Sequence, residues 1–266
     1  MQNSTSRRSV LTASTLAVAL ASLGVPPIAA TQPPINNSSV KTGEQDMSPA
    51  TQTAIVPEGI RDPLTPENSL LFYVDLQPQY VFSVHTINAG VLINNAAGLA
   101  KAARLFNVPT IFATISSRSF AGPMFAKVQE ARPDITPMDR TTINALDDPR
   151  VEKAITAAGR PKILIGGLWT DSCVVLPTLS LLKRGFQVYV LADIAGDVDT
   201  ESHERGMQRM IQAGAVPVTW LPVVLEWQKD WAKTATAGEL VKIAQEHGGA
   251  WGQGVYYASQ MGIGHK

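Results

Sequence analysis

Residues 162–174 read Lys-Ile-Leu-Ile-Gly-Gly-Leu-Trp-Thr-Asp-Ser-Cys-Val. The first seven, Lys162–Leu168, are an apolar run without clean two-residue alternation, which suits a strand buried on both faces. Gly166 and Gly167 let the backbone turn tightly or approach a ligand closely. A helical pattern follows over residues 172–184 and stops at Gly185, with Pro177 in its interior predicting a kink. Similar apolar runs stand at Ser69–Val74, 109–114, 187–192 and 216–220. Helical spacing fills the intervals at 88–106, 150–158 and 201–213, the last ending at Gly214. This alternation predicts an α/β fold with three αβα layers and a central, mainly parallel sheet. Ligands in such sheets bind at the carboxyl ends of the strands.

That rule makes Cys173, the only cysteine, the first candidate for chemistry. At a helix start, amide N–H groups and the helix dipole favour a thiolate and could form an oxyanion hole. The expectation is a thiol of lowered pKa. On its own a lone cysteine reads more often as inert core. Asp75 closes the first run in Tyr-Val-Asp-Leu-Gln, again at a strand's carboxyl end, where alone it would read as a turn residue. A phosphatase-type nucleophile would want a second acid two residues on, where Gln77 stands. Arg140 lies between these strands in Met138-Asp139-Arg140, followed by Ile143-Asn144-Ala145. Buried, it could anchor a carboxylate and a thiolate together; otherwise it is a surface arginine. Trp169 adjoins the nucleophile and reads as a pocket wall, with Phe120 and Asn144 as weaker pocket candidates. His203, near a helix start, reads as a surface residue.

Together these segments resemble the isochorismatase-like cysteine hydrolases, a family that includes nicotinamidases, and within it the YcaC-like branch. The carrying residues are Val74-Asp75-Leu76-Gln77, Arg140 with Ile143-Asn144-Ala145, and Gly166-Gly167-Leu168-Trp169-Thr170-Asp171-Ser172-Cys173-Val174. The resemblance runs from about residue 68 to 231 and includes Gln212-Ala213-Gly214-Ala215 and Thr219-Trp220. It implies a catalytic triad of Asp75, Arg140 and Cys173. The aspartate takes the thiol proton, the cysteine attacks an electrophilic carbon, and water hydrolyses the covalent intermediate. It also implies a cis peptide at Leu168–Trp169 and an oxyanion site at the N–H groups of Trp169 and Cys173. Two departures stand out. Most members carry lysine where Arg140 stands, and arginine fixes charge without shuttling protons. Nicotinamidases carry an Asp/His metal cluster after the first motif, whereas residues 77–85 here hold one histidine, His85. No catalytic metal and no cofactor are therefore expected, and nicotinamide is not the expected substrate.

Outside this region the chain of 266 residues balances 22 Lys+Arg against 22 Asp+Glu, with no electrostatic footprint for nucleic acid. One cysteine excludes an internal disulfide and zinc sites built on several cysteines. Residues 1–30 have the layout of an export signal, with Arg7-Arg8 before a mildly apolar run over 10–25, which suggests the twin-arginine route to the periplasm. Their removal takes two arginines and no acid, leaving 20 basic against 22 acidic residues and no stable membrane anchor. Residues 31–67 read as a polar linker, 68–232 as the hydrolase domain, and 233–266 as a C-terminal helix over 238–247 plus a tail. Trp251, Tyr256 and Tyr257 suit docking on a neighbouring subunit as well as a loosely ordered end. The expected partners are a small-molecule substrate and further copies of the chain. An exported binding protein of the same fold and a thiol redox sensor are the competing readings.

Overall fold

A computed structural model describes residues 62–262. The expected leader, residues 1–30, and residues 31–61 of the expected linker lie outside the described residues. The chain runs β1 (Ser69–Val74), α1 (Pro78–Val81), α2 (Ala89–Leu105), β2 (Thr110–Ile115), α3 (Ala126–Ala131), β3 (Met138–Arg140), α4 (Pro149–Ala157) and β4 (Lys162–Leu168). It continues through α5 (Val175–Lys183), β5 (Gln187–Gly196), α6 (Thr200–Gln212), β6 (Val216–Val218), α7 (Trp220–Gln228), α8 (Thr234–His247) and α9 (Gly249–Gln260). The six strands pair in the order β3-β2-β1-β4-β5-β6, all parallel, with helices on both faces.

Both faces of the sheet are apolar, which is why the strands read as continuous apolar runs. Leu71, Tyr73, Phe112, Leu164 and Leu191 pack toward α2, α7 and α8. Leu70, Phe72, Val74, Ile163, Ile165 and Val190 pack toward α4, α5 and α6. N-cap side chains close α2, α4 and α6: Asn88 accepts from Val91 N, Asp148 from Arg150 N, and Asp199 from Ser202 N. Residues 62–67, placed in the linker on composition, pack on the body instead. Leu64 is buried in the core and its N–H donates to the Glu226 carboxylate at 2.6 Å. At the other end, the expected helix over 238–247 is the longer α8, and the tail forms α9. No helix among the described residues is long and apolar enough to cross a membrane.

One carboxylate in this scaffold makes folding pH-dependent. Asp193 on β5 accepts the Trp220 N–H at 3.1 Å, capping α7, and burial holds its carboxyl up at about 6 despite those backbone bonds. The folded state therefore binds this proton more tightly than the unfolded chain does. Its stabilisation is complete below the ordinary carboxylate range and is lost as pH rises through about 6. Asp193→Asn keeps an acceptor for Trp220 and removes the buried charge. It is expected to flatten the fall of Tm between acid and neutral pH and to gain roughly 1–3 kcal/mol at neutral pH. A Tm–pH curve parallel to that of the unsubstituted chain would rule this out.

Candidate active site

The strand order reverses direction of growth at β1 and β4, so the loops leaving these neighbours open a crevice at their carboxyl ends. Val74 is in register with Gly167. The strands approach so closely there that a Cβ on Gly167 would lie 1.9 Å from the Val74 carbonyl oxygen. Only glycine fits, and the close approach brings the residues after β1 and β4 together. Asp75 follows Val74 at φ 55°, in the left-handed region that aspartate tolerates better than most residues. The Leu168–Trp169 peptide is cis.

Cys173 does not open an α-helix. Residues Thr170–Val174 form one π turn, closed by Val174 N–H donating to Trp169 O at 3.2 Å, and α5 begins only at Val175. Because α5 begins so late, Pro177 is not in the helix interior where a kink was expected. Pro177 falls in the first turn of α5, where N–H groups lack intrahelical acceptors and a missing one costs little.

Asp75, Arg140 and Cys173 meet in this crevice. Asp75 and Cys173 come from the ends of β1 and β4, and Arg140 is the last residue of β3. All three are buried. Arg140 grips Asp75 with both ends of its fork, Nη1 to Oδ1 at 2.7 Å and Nη2 to Oδ2 at 2.9 Å. Nη2 also donates to the Ile143 carbonyl at 3.1 Å, while the buried Nε has no partner. The Cys173 thiol lies close enough to the Asp75 carboxylate for each to shift the other's proton affinity. Burial raises the Asp75 carboxyl, with Arg140 opposing.

The thiol is not the thiolate its position suggested. Burial and then the adjacent Asp75 carboxylate push it up to about 12, and Arg140 offsets only part of this. The π turn gives the sulfur no α-helix start to sit on, and desolvation and a neighbouring anion both favour the protonated thiol. The same environment, with Cys173 8% exposed, argues against a redox sensor, which needs an accessible thiolate.

Around the crevice mouth, Trp169 meets Tyr80 edge to face at 4.9 Å, and Tyr80 meets Phe120 in the same way at 6.1 Å. The Trp169 indole N–H donates to Ser83 Oγ at 3.1 Å. Phe120 is exposed. Asn144 is committed elsewhere: its oxygen accepts from Leu146 N and its amide donates to Asp147 and Ser180, so it builds the loop after β3. Two residues have roles that the sequence did not reveal. Tyr80 sits on α1 and forms the centre of the aromatic group; its signal was an aromatic five positions beyond Asp75, in the same strand-end loop. Gln77 bonds the Ile115 N–H and carbonyl, both at 2.9 Å, and the Gly122 carbonyl, tying the Asp75 loop to the Phe120 loop. Among the described residues, no group of three or more His, Cys, Asp or Glu could hold a metal ion.

A family model described as the isochorismatase domain matches residues 69–221. The probable hydrolase YcaC of Escherichia coli K12 is 32% identical over 169 residues, covering 63% of this chain and 81% of that protein. YcaC from Pseudomonas aeruginosa, solved with hexane-2,5-diol and covalent acrylamide, superposes with a TM-score of 0.70 at 30% identity, over 75% of this chain and 98% of that one. The E. coli structure, described as an octameric hydrolase of unknown specificity, superposes with a TM-score of 0.71 at 28% identity, over 75% and 97% of the two chains.

Proposed function

Because the chain belongs to the isochorismatase family and is a hydrolase, we propose that it is a metal-independent cysteine hydrolase that cleaves a C–N bond of a small amide through an acyl-Cys173 intermediate. The observation that carries this reading is the buried Cys173–Asp75–Arg140 cluster, with the thiol beside a carboxylate that is itself held in a guanidinium fork.

The chemistry follows from where the charge sits. At rest the anion is Asp75, opposite Arg140. As Cys173 Sγ bonds to the amide carbonyl carbon, its proton passes to Asp75 and the negative charge develops on sulfur and then on the carbonyl oxygen. Arg140 keeps its proton throughout and stays opposite whichever partner is anionic. That is why a residue unable to shuttle protons serves here. The backbone N–H groups of Trp169 and Cys173 receive the oxyanion. Collapse breaks the C–N bond, and the leaving amine takes the proton from Asp75. Water then attacks the thioester, Asp75 accepts its proton, and the acid leaves with the thiol restored. Tyr80, Trp169 and Phe120 give the pocket an apolar wall.

The active form is a homo-oligomer. The E. coli relative's octamer supports this, as do Trp231, Tyr256, Tyr257 and Met261, exposed on and beside the C-terminal helices. The paired Arg7-Arg8 before residues 10–25 supports export to the periplasm by the twin-arginine route. Residues 68–232 are taken as the hydrolase domain.

Small uncharged amides, tested against the purified chain with Cys173→Ala as the blank, are expected to be turned over by the native protein only. Quenched reactions should carry an acyl mass on Cys173. Turnover that survives in Cys173→Ala would exclude the cysteine as nucleophile.

A further inference from the structure

The π turn that carries Cys173 is held from outside by the end of β5, by Asp197 just beyond it, and by α6. Thr170, fully buried, donates its hydroxyl to the Gly196 carbonyl at 3.0 Å. The same oxygen lies 2.9 Å from His203 Nδ1. A threonine hydroxyl has one proton, and here Gly196 receives it. Thr170 must therefore accept from His203, which fixes the imidazole as the Nδ1–H tautomer. The next residue is clasped too. Asp171 N–H donates to Asp197 Oδ2 at 3.0 Å, and Asp197, 1% exposed, is itself fixed by Val198 N–H to its Oδ1 and by its own N–H to Thr86 Oγ1. Between these clasps α6 presses on the turn directly. Gly206, one helical turn beyond His203, leaves so little room that a Cβ there would meet Asp171 Cα at 2.9 Å. His203 and Gly206 thus share one face of α6, against the turn.

We propose that His203, with Asp197, is a positioning residue for the nucleophile: its Nδ1–H bond to Thr170 sets the π turn so that Cys173 Sγ stays on the Asp75 carboxylate. Neither side chain needs to touch the substrate. Cys173 lies three residues beyond Thr170 on the same turn, so releasing Thr170 lets Sγ swing off Asp75. The inference builds on the reading of Cys173 as nucleophile, but its tests require no turnover.

Two measurements decide it. The first is the rate of Cys173 alkylation by acrylamide against pH, followed by intact mass, in the native chain, His203→Ala and His203→Asn. Asparagine places an N–H where Nδ1 stands. Once Sγ leaves Asp75, the nearby carboxylate no longer holds the proton on sulfur. The His203→Ala profile is expected to move to lower pH by about one unit, roughly tenfold more thiolate at a given pH. His203→Asn should follow the native curve. A purely stabilising role would lower Tm and leave the His203→Ala profile on the native one, and that result overturns the proposal. So does a His203→Asn curve that tracks His203→Ala. The second measurement uses the unsubstituted protein and holds even if His203→Ala does not fold. Imidazole 15N shifts should report Nδ1–H for His203; an Nε2–H tautomer would sink the clasp. An amide panel without turnover would remove the hydrolase reading and leave both of these results intact.

Discussion

Asp75→Asn is expected to abolish amide hydrolysis while making Cys173 easier to alkylate. The two effects part because the carboxylate does opposite things to the resting and the reacting thiol. At rest, its charge keeps the proton on sulfur, after burial the largest cause of a thiol pushed up to about 12. Asparagine removes the charge and leaves Arg140 opposite the sulfur, so the thiol's pKa falls. A simple electrophile that needs only thiolate then reacts faster at neutral pH. The native profile should climb about tenfold per pH unit without a plateau in the usual range, and the Asp75→Asn profile should bend over at lower pH. Hydrolysis also needs a base to take the thiol proton and then a proton from water. Its loss is expected at about 10^2–10^4-fold in kcat, the range that general-base catalysis contributes. Alkylation by acrylamide and turnover of an amide, measured on the same preparations, test both halves. Slower alkylation in Asp75→Asn would mean that the aspartate stabilises a resting thiolate, as position at a helix start alone would suggest.

That contrast marks how far the sequence could be read. Runs such as Lys162–Leu168 were legible because burial on both faces of a parallel sheet demands continuous apolar residues. Asp75 and Cys173 were legible because each follows a predicted strand at the edge where this fold gathers its chemistry, whereas Arg140 stood out through the family resemblance. Other features depend on partners far along the chain. Met138–Arg140 is a strand of three residues at the sheet edge, too short for a period to show. Trp220, read as the end of a strand, opens α7, because apolar residues continue through the boundary and the carboxylate that caps the helix lies on β5. His203 read as a surface residue on a polar helix until Thr170 was brought against its ring. The protonation of Cys173 is hidden in the sequence for a similar reason: Asp75, whose charge keeps the proton on sulfur, arrives from another strand.

Arg140→Met is expected to be the most destabilising single change in the crevice. The side chains of Arg140 and Asp75 are both fully buried, and the fork supplies two of the carboxylate's hydrogen bonds. Removing one partner of such a pair leaves a buried charge without compensation, a cost of about 3–5 kcal/mol. The chain can escape part of that cost only by protonating Asp75, whose carboxyl burial already raises and which then loses the cation opposing the rise. The sign follows from linkage: a raised carboxyl contributes stability that is complete at low pH and is lost as pH rises through its folded pKa. Arg140→Met should therefore lose more Tm at neutral than at acid pH. Activity should vanish at every pH, since a protonated Asp75 cannot take the thiol proton and an ionised one destabilises the fold. The double variant Asp75→Asn/Arg140→Met separates the two roles. With no charge left to bury, it should recover most of the stability and none of the turnover. If the double variant is as unstable as Arg140→Met alone, the fork's contribution lies in packing and in the bond to the Ile143 carbonyl, and the charge-holding role assigned to Arg140 fails.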